Sequence, residues 1–201
     1  MKWRLFRIHF GTSLEDAVIH GDLKLVERKI QRGADLSWRD KNGNTLLHLA
    51  INFGCTEIAL RLIESGVPLE AENRLKITPL SAAAFHGNIQ IIDRLLDMGL
   101  KADMKNSENS TLLFPASFNG QLKVIEHIIN KGAAVNVRNN RGHTPLSNAV
   151  NHGHLEVVKV LIQAGADPTV QDSEGVSILH KSKKKGYPNI AKMLEEAGAK
   201  F

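Results

Sequence analysis

The sequence predicts an all-α solenoid: a linear array of short helix pairs joined by extended loops. Three observations predict it, and they share one period. Thr or Ser stands at Thr12, Thr45, Thr78, Thr111, Thr144 and Ser177, each 33 residues after the last. Glycine keeps the same step in two further registers, at Gly21, Gly54, Gly87, Gly120, Gly153 and Gly186, and at Gly33, Gly66, Gly99, Gly132, Gly165 and Gly198. No insertion or deletion interrupts them. Such an array shares one elongated core between neighbours. It also moves the question of function from catalysis towards binding.

The stretch Gly142–Pro168 shows how one repeat is built. Thr144 is a good helix N-cap, and Pro145 suits the first helical position, where its missing N–H is not needed. Leu146, Ala149 and Val150 line one face. Gly153 ends that helix with a residue free to take positive φ. A second helix carries Leu155, Val157, Val158, Leu161 and Ile162 at helical spacing, and Gly165 stops it. ADPTVQDSEG then supplies turn formers up to the next cap. Neither helix can bury its apolar face alone, so stability comes from stacking.

The other repeats follow in order. The first reads GTSLEDAVIHGDLKLVERKIQRGADL, with Ser13 at the register of Pro79 and Pro145 and Glu15 at that of His48 and His180. The second contains NTLLHLAINFG, the third ITPLSAAAFHGNIQIIDRLLDMG and the fourth STLLFPASFNGQLKVIEHIINKGA. The sixth, VSILHKSKKKGYPNIAKMLEEAGAKF, puts Ser182–Lys183 where the others carry Ala followed by Val, Ile, Ala or Ser.

These segments resemble the ankyrin repeat, whose pattern is TPLHxAAxxGHxxVVxxLLxxGA. The resemblance covers residues 12–201 as six repeats starting near 12, 45, 78, 111, 144 and 177. Residues 1–11 are left as an N-terminal arm or cap extension. The family fold implied is an α-solenoid with β-hairpin-like finger loops at right angles to the helices. Polar end repeats fit capping, so the lysines at 181 and 183–185 read as a solvated C-terminal cap. The TPLH histidine survives as His48 and His180. The resemblance gives both a structural role, bracing neighbouring loops.

Two departures carry expectations about shape. The finger glycine of Gly43, Gly142 and Gly175 is replaced by Lys76 and Asn109. Lysine tolerates the left-handed conformation poorly, so fingers two and three are expected to differ from the others. Pro115 falls where its N–H would pair with the Thr111 carbonyl. It predicts a distorted or late-starting helix in the fourth repeat.

Ankyrin proteins bind other proteins through finger tips and inner helices. Carried over residue by residue, the resemblance implies partner-binding positions at Phe53 in the second repeat and at Arg74, Leu75, Ile77, Phe85 and His86 in the third. It adds Phe118 and Asn119 in the fourth, and Arg141 and His152 in the fifth. Phe53, Leu75, Ile77, Phe85 and Phe118 are apolar at positions expected to face solvent. They read either as an interaction patch with a polar rim or as rings completing the core. Trp38, in the first finger, either contacts a partner or covers the first two repeats. MKWRLFRIHF, with Trp3, Leu5, Phe6, Ile8 and Phe10 among basic residues, reads as an arm over the open edge. Membrane-surface adhesion is its alternative.

Composition sets the remaining bounds. The chain has 201 residues, 42% of them hydrophobic, and a net charge of +5. One cysteine, Cys55, excludes an internal disulfide and fits a reducing, cytoplasmic compartment. No apolar run reaches the roughly 18–20 residues of a membrane span. No HExxH, paired CxxC, GxxxxGK[ST] or GxSxG motif occurs, so no enzyme, cofactor or metal is expected. Cys55 opens a second helix, a place that can lower a thiol pKa, but it lacks a basic partner. His152 and His154 flank a glycine turn and are not read as metal ligands. The expected activity is non-catalytic binding of a protein by a monomer, as a small adaptor, inhibitor or immunity protein. Binding of nucleic acid or an acidic surface through basic residues is the alternative, disfavoured because those residues are dispersed.

Overall fold

A computed structural model describes residues 13–172 and 174–200. The arm at 1–11, with its aromatic and basic residues, and Thr12 lie outside the described residues. Those described form twelve helices, two isolated β-bridges and no sheet, divided between two compact units at 1–79 and 80–201.

The first unit holds α1 (Leu14–Ile19), α2 (Leu23–Gln31), α3 (Leu46–Asn52) and α4 (Thr56–Glu64). Helix α1 packs on α2 and α3, and α4 packs on α2 and α3. The sequence register places the first cap at Thr12, but α1 starts one residue later. Ser13 is its N-cap and accepts the Asp16 N–H. Helix α3 is closed reciprocally: Thr45 Oγ1 accepts the His48 N–H, and His48 Nδ1 accepts the Thr45 N–H at 3.2 Å. The other ring nitrogen, Nε2, donates to the Ile77 carbonyl at 3.0 Å. His48 therefore braces the next loop. It is buried, and that burial holds its pKa below the ordinary imidazole range.

The second unit holds α5 (Pro79–His86, its first residue at the boundary), α6 (Ile89–Asp97), α7 (Leu113–Phe118), α8 (Leu122–Asn130), α9 (Pro145–His152), α10 (Leu155–Gln163), α11 (Ile178–Lys184) and α12 (Pro188–Glu196). Helix α9 packs on α7 and α11, and α10 packs on α8 and α12. Inner helices thus stack on inner helices and outer on outer. Outer helices bury one stripe, as in α6, where Ile91, Ile92 and Leu95 are buried while Gln90 and Asp97 are exposed.

Helix α7 starts late, as Pro115 requires. It has six residues against eight in α9. Its N-cap is Leu112, without a side-chain bond. The Thr111 carbonyl is reached instead by the Phe114 N–H at 3.1 Å, one residue tighter than an α-turn. Thr111 Oγ1 is buried without a partner.

The fingers correct the expectation from Lys76 and Asn109. Both adopt positive φ, 63° and 58°, beside 77° at Gly43 and 74° at Gly142. In all five fingers one side-chain oxygen accepts two backbone N–H groups, two and four residues on. Its owner is Asp40, Asn73, Asn106, Asn139 or Asp172. That clamp imposes one shape whatever residue sits at the left-handed position.

The sixth repeat corrects a second expectation. Ser182 does not meet water: it is fully buried, and its hydroxyl donates to the Leu179 carbonyl at 2.7 Å. Nor are all the lysines simply solvated. Lys181 pairs with Asp172 and Lys183 with Glu195. His180 is exposed, so the brace seen at His48 is not repeated there.

Candidate functional site

The last turns of α5, α7 and α9 bring three rings into a row. Phe85 and Phe118 have centroids 6.2 Å apart, and Phe118 lies 4.1 Å from His152. His86 stands edge-on to Phe85 at 5.2 Å. Phe85 is half-buried, whereas Phe118 keeps 46% of its surface exposed and His152 is exposed.

Helix ends fix this row. The last carbonyls of an α-helix have no partner within it. Here the following repeat supplies one. Asn119 Nδ2 and Gln121 Nε2 both donate to the Phe85 carbonyl at 2.9 Å. His154 Nε2 donates to the Phe118 carbonyl at 2.9 Å, and Lys185 Nζ to that of Asn151 at 2.6 Å. His152 Nδ1 donates to the Asn148 carbonyl, which leaves Nε2 outward. The backbone beneath Phe85 and Phe118 is therefore tied to the next repeat.

The glycine turns permit the approach. At Gly120, φ is +67° and an added Cβ would stand 2.7 Å from the His154 ring. At Gly153 it would stand 2.9 Å from Tyr187.

Of the residues singled out from sequence, the structure joins Phe85, His86, Phe118, Asn119 and His152. Trp38, Phe53, Arg74, Leu75 and Ile77 belong to the first unit, and Arg141 sits on a fingertip of the second. Phe53 is 55% and Leu75 77% exposed. Trp38 and Ile77 are half-buried, with Ile77 tied to His48 through its carbonyl. Arg74 donates its backbone N–H to the Asn42 carbonyl of the preceding finger at 2.9 Å. Arg141 is exposed. Sequence reasoning missed the Asx position of the fingers. Its signal was present, since 40, 73, 106, 139 and 172 are all Asp or Asn.

Lys181, beside Asp172, forms a charged pair at α11. Hydrogen bonds from Lys181 and the backbone N–H of Val176 hold Asp172 at about 2. Burial pushes the His143 imidazole down, and Lys181 and Arg141 add to that push. Chemistry by a thiol finds no support. Burial pushes the Cys55 pKa up. Among the described residues no three His, Cys, Asp or Glu side chains converge as metal ligands. No described helix is long and apolar enough to cross a membrane.

Comparison with known proteins agrees with this architecture. The family model described as "Ankyrin repeats (3 copies)" matches residues 14–108 and 112–201. The structure resembles an ankyrin repeat domain from Acinetobacter baumannii AYE, with 30% identity and a TM-score of 0.78 over 93% of this chain and 98% of that one. It also resembles the ankyrin repeat domain of Bcl-3, described as a unique member of the IκB family. That match has 27% identity and a TM-score of 0.78 over 93% of this chain and 86% of the other. No curated protein matches the chain in sequence.

Proposed function

The chain belongs to the ankyrin repeat family, whose members are generally protein-interaction scaffolds, and on that premise we propose that it is a non-catalytic binding protein. It engages one partner protein through inner-helix and finger surfaces, as a small adaptor or an inhibitor. Residues 12–201 act as its repeat domain, residues 1–11 as an arm, and a monomer is the working form. Lone Cys55 supports a reducing compartment such as the cytoplasm.

One observation carries the reading: the solvent-facing row Phe85–Phe118–His152, built on helix ends that are already satisfied. Exposing a phenylalanine gains the fold nothing, since burying an aromatic is favourable by roughly 1.5–3 kcal/mol. A rigid aromatic with a polar rim is instead what an interface uses as an anchor. Affinity capture from the native cell with wild type and a Phe85→Ala/Phe118→Ala variant tests this. The variant is expected to lose the captured partner. Equal recovery of every captured protein by both would remove the row from the binding surface.

A further inference from the structure

Resting on that reading, we infer that the partner presents an extended acidic segment with an apolar residue at one end. The apolar residue seats on Phe85 and Phe118, and the carboxylates lie over the end of α11. Helices α5, α7, α9 and α11 contain no Asp or Glu, although the outer helices α6, α8, α10 and α12 all do. At the slot that ends each inner helix the residue passes from Phe85 to Phe118, Asn151 and Lys184. The neighbouring slot passes from His86 to Asn119, His152 and Lys185. The surface thus runs from aromatic through amide and imidazole to ammonium, with no negative charge along it.

The lysines at the basic end are not all neutralised by the protein. Lys181 and Lys183 have Asp172 and Glu195. Lys185 Nζ donates to the neutral Asn151 carbonyl, which supplies no counter-charge. Lys184 is exposed and has no ion-pair partner among the described residues. A carboxylate-bearing segment supplies the missing counter-charge. Neighbouring helices lie roughly 8–10 Å apart. Phe118 and Lys184 are two helices apart, which an extended chain at ~3.3 Å per residue spans in about six residues. A nucleic acid fits less well. Its phosphates recur at every nucleotide, whereas α5, α7 and α9 contain no Lys or Arg.

Fluorescence anisotropy of the full chain with labelled synthetic peptides of about a dozen residues tests the inference. One peptide carries a Phe-Leu pair six residues from four glutamates. A second replaces the glutamates by glutamines, a third replaces Phe-Leu by Ser-Ser, and a single-stranded oligonucleotide is the fourth probe. The first peptide is expected to bind tightest, and more weakly as salt rises from about 50 to about 300 mM. Lys184→Glu, and separately Lys184→Glu/Lys185→Glu, should weaken it up to about tenfold and lessen the salt dependence. Phe118→Ala should weaken it by a similar factor at every salt concentration. The inference is overturned if no peptide binds, if the glutamine peptide binds as well as the first, if the Ser-Ser peptide does, or if the oligonucleotide binds tightest. Unchanged affinity of the lysine variants overturns it too. Capture of a partner through Phe85 and Phe118 from cells would still stand in those cases, so the two readings fail separately.

Discussion

Helices α3 and α7 occupy the same slot of the repeat, each following a buried threonine, yet they begin in opposite ways. In α3 the Thr45–His48 pair satisfies both N-terminal amides and reaches out to Ile77. In α7 Phe114 stands in the histidine's place and is buried, Pro115 follows, and Thr111 Oγ1 has no partner. The chain therefore uses one position for polar bracing in the first unit and for apolar filling in the second. The helix with the weaker start carries the exposed Phe118 at its other end. The difference teaches that a repeat is conserved in register, not in the bonds that hold it.

Four measurements break or sharpen that contrast. The largest effect belongs to His48→Ala, which strands the Thr45 amide, takes from the Ile77 carbonyl one of its two donors and opens a cavity. It should lower stability by about 3 kcal/mol in urea denaturation. Thr45→Val and Thr111→Val come next and should differ in sign. The first loses a cap and costs about 1–2 kcal/mol. The second removes a buried hydroxyl without a partner and gains about 1 kcal/mol. If both destabilise equally, α7 is capped after all.

Lys76→Gly relieves a left-handed lysine and should gain about 0.5–1 kcal/mol, less than the intrinsic cost because glycine loses more entropy on folding. The smallest effect is acidification. His48 is folded with a depressed pKa, so the unfolded chain takes up the proton first. Its contribution is fully present above the ordinary histidine range near 6.5 and is lost as pH falls towards the folded value. Protection factors at residues 45–77, corrected for the pH dependence of intrinsic exchange, should fall as pH drops below about 6.5, while those at residues 111–130 change less.

The fold was legible because period, caps and glycines are local signals that repeat six times. The ring row was legible because Phe85 and Phe118 stand at the same slot, where the repeat faces outward. The finger shape was misread at Lys76 because propensity looks at one residue, whereas the conformation is imposed by the Asn73 oxygen three residues earlier. Ser182 was misread for a related reason. A hydroxyl that returns its proton to a helix carbonyl can be buried like an alanine. The run of inner helices without Asp or Glu was visible in the sequence, but only the stacking of α7 on α9 and α9 on α11 makes it one surface.

The bonds across the glycine turns bear on how such a chain can change its length. In the second unit the donor to each helix-end carbonyl lies 34–36 residues downstream, one period plus a short offset. Gln121 and His154 do the same job from the same slot, one by an amide and one by a ring nitrogen. Excising one whole period would bring His154 to the slot of Gln121 and leave the Phe85 carbonyl with a donor. Excising a length that is not a whole number of periods would not. Gene duplications and losses in whole periods are thus chemically silent at the turns, while a slip of a few residues exposes a row of unsatisfied carbonyls.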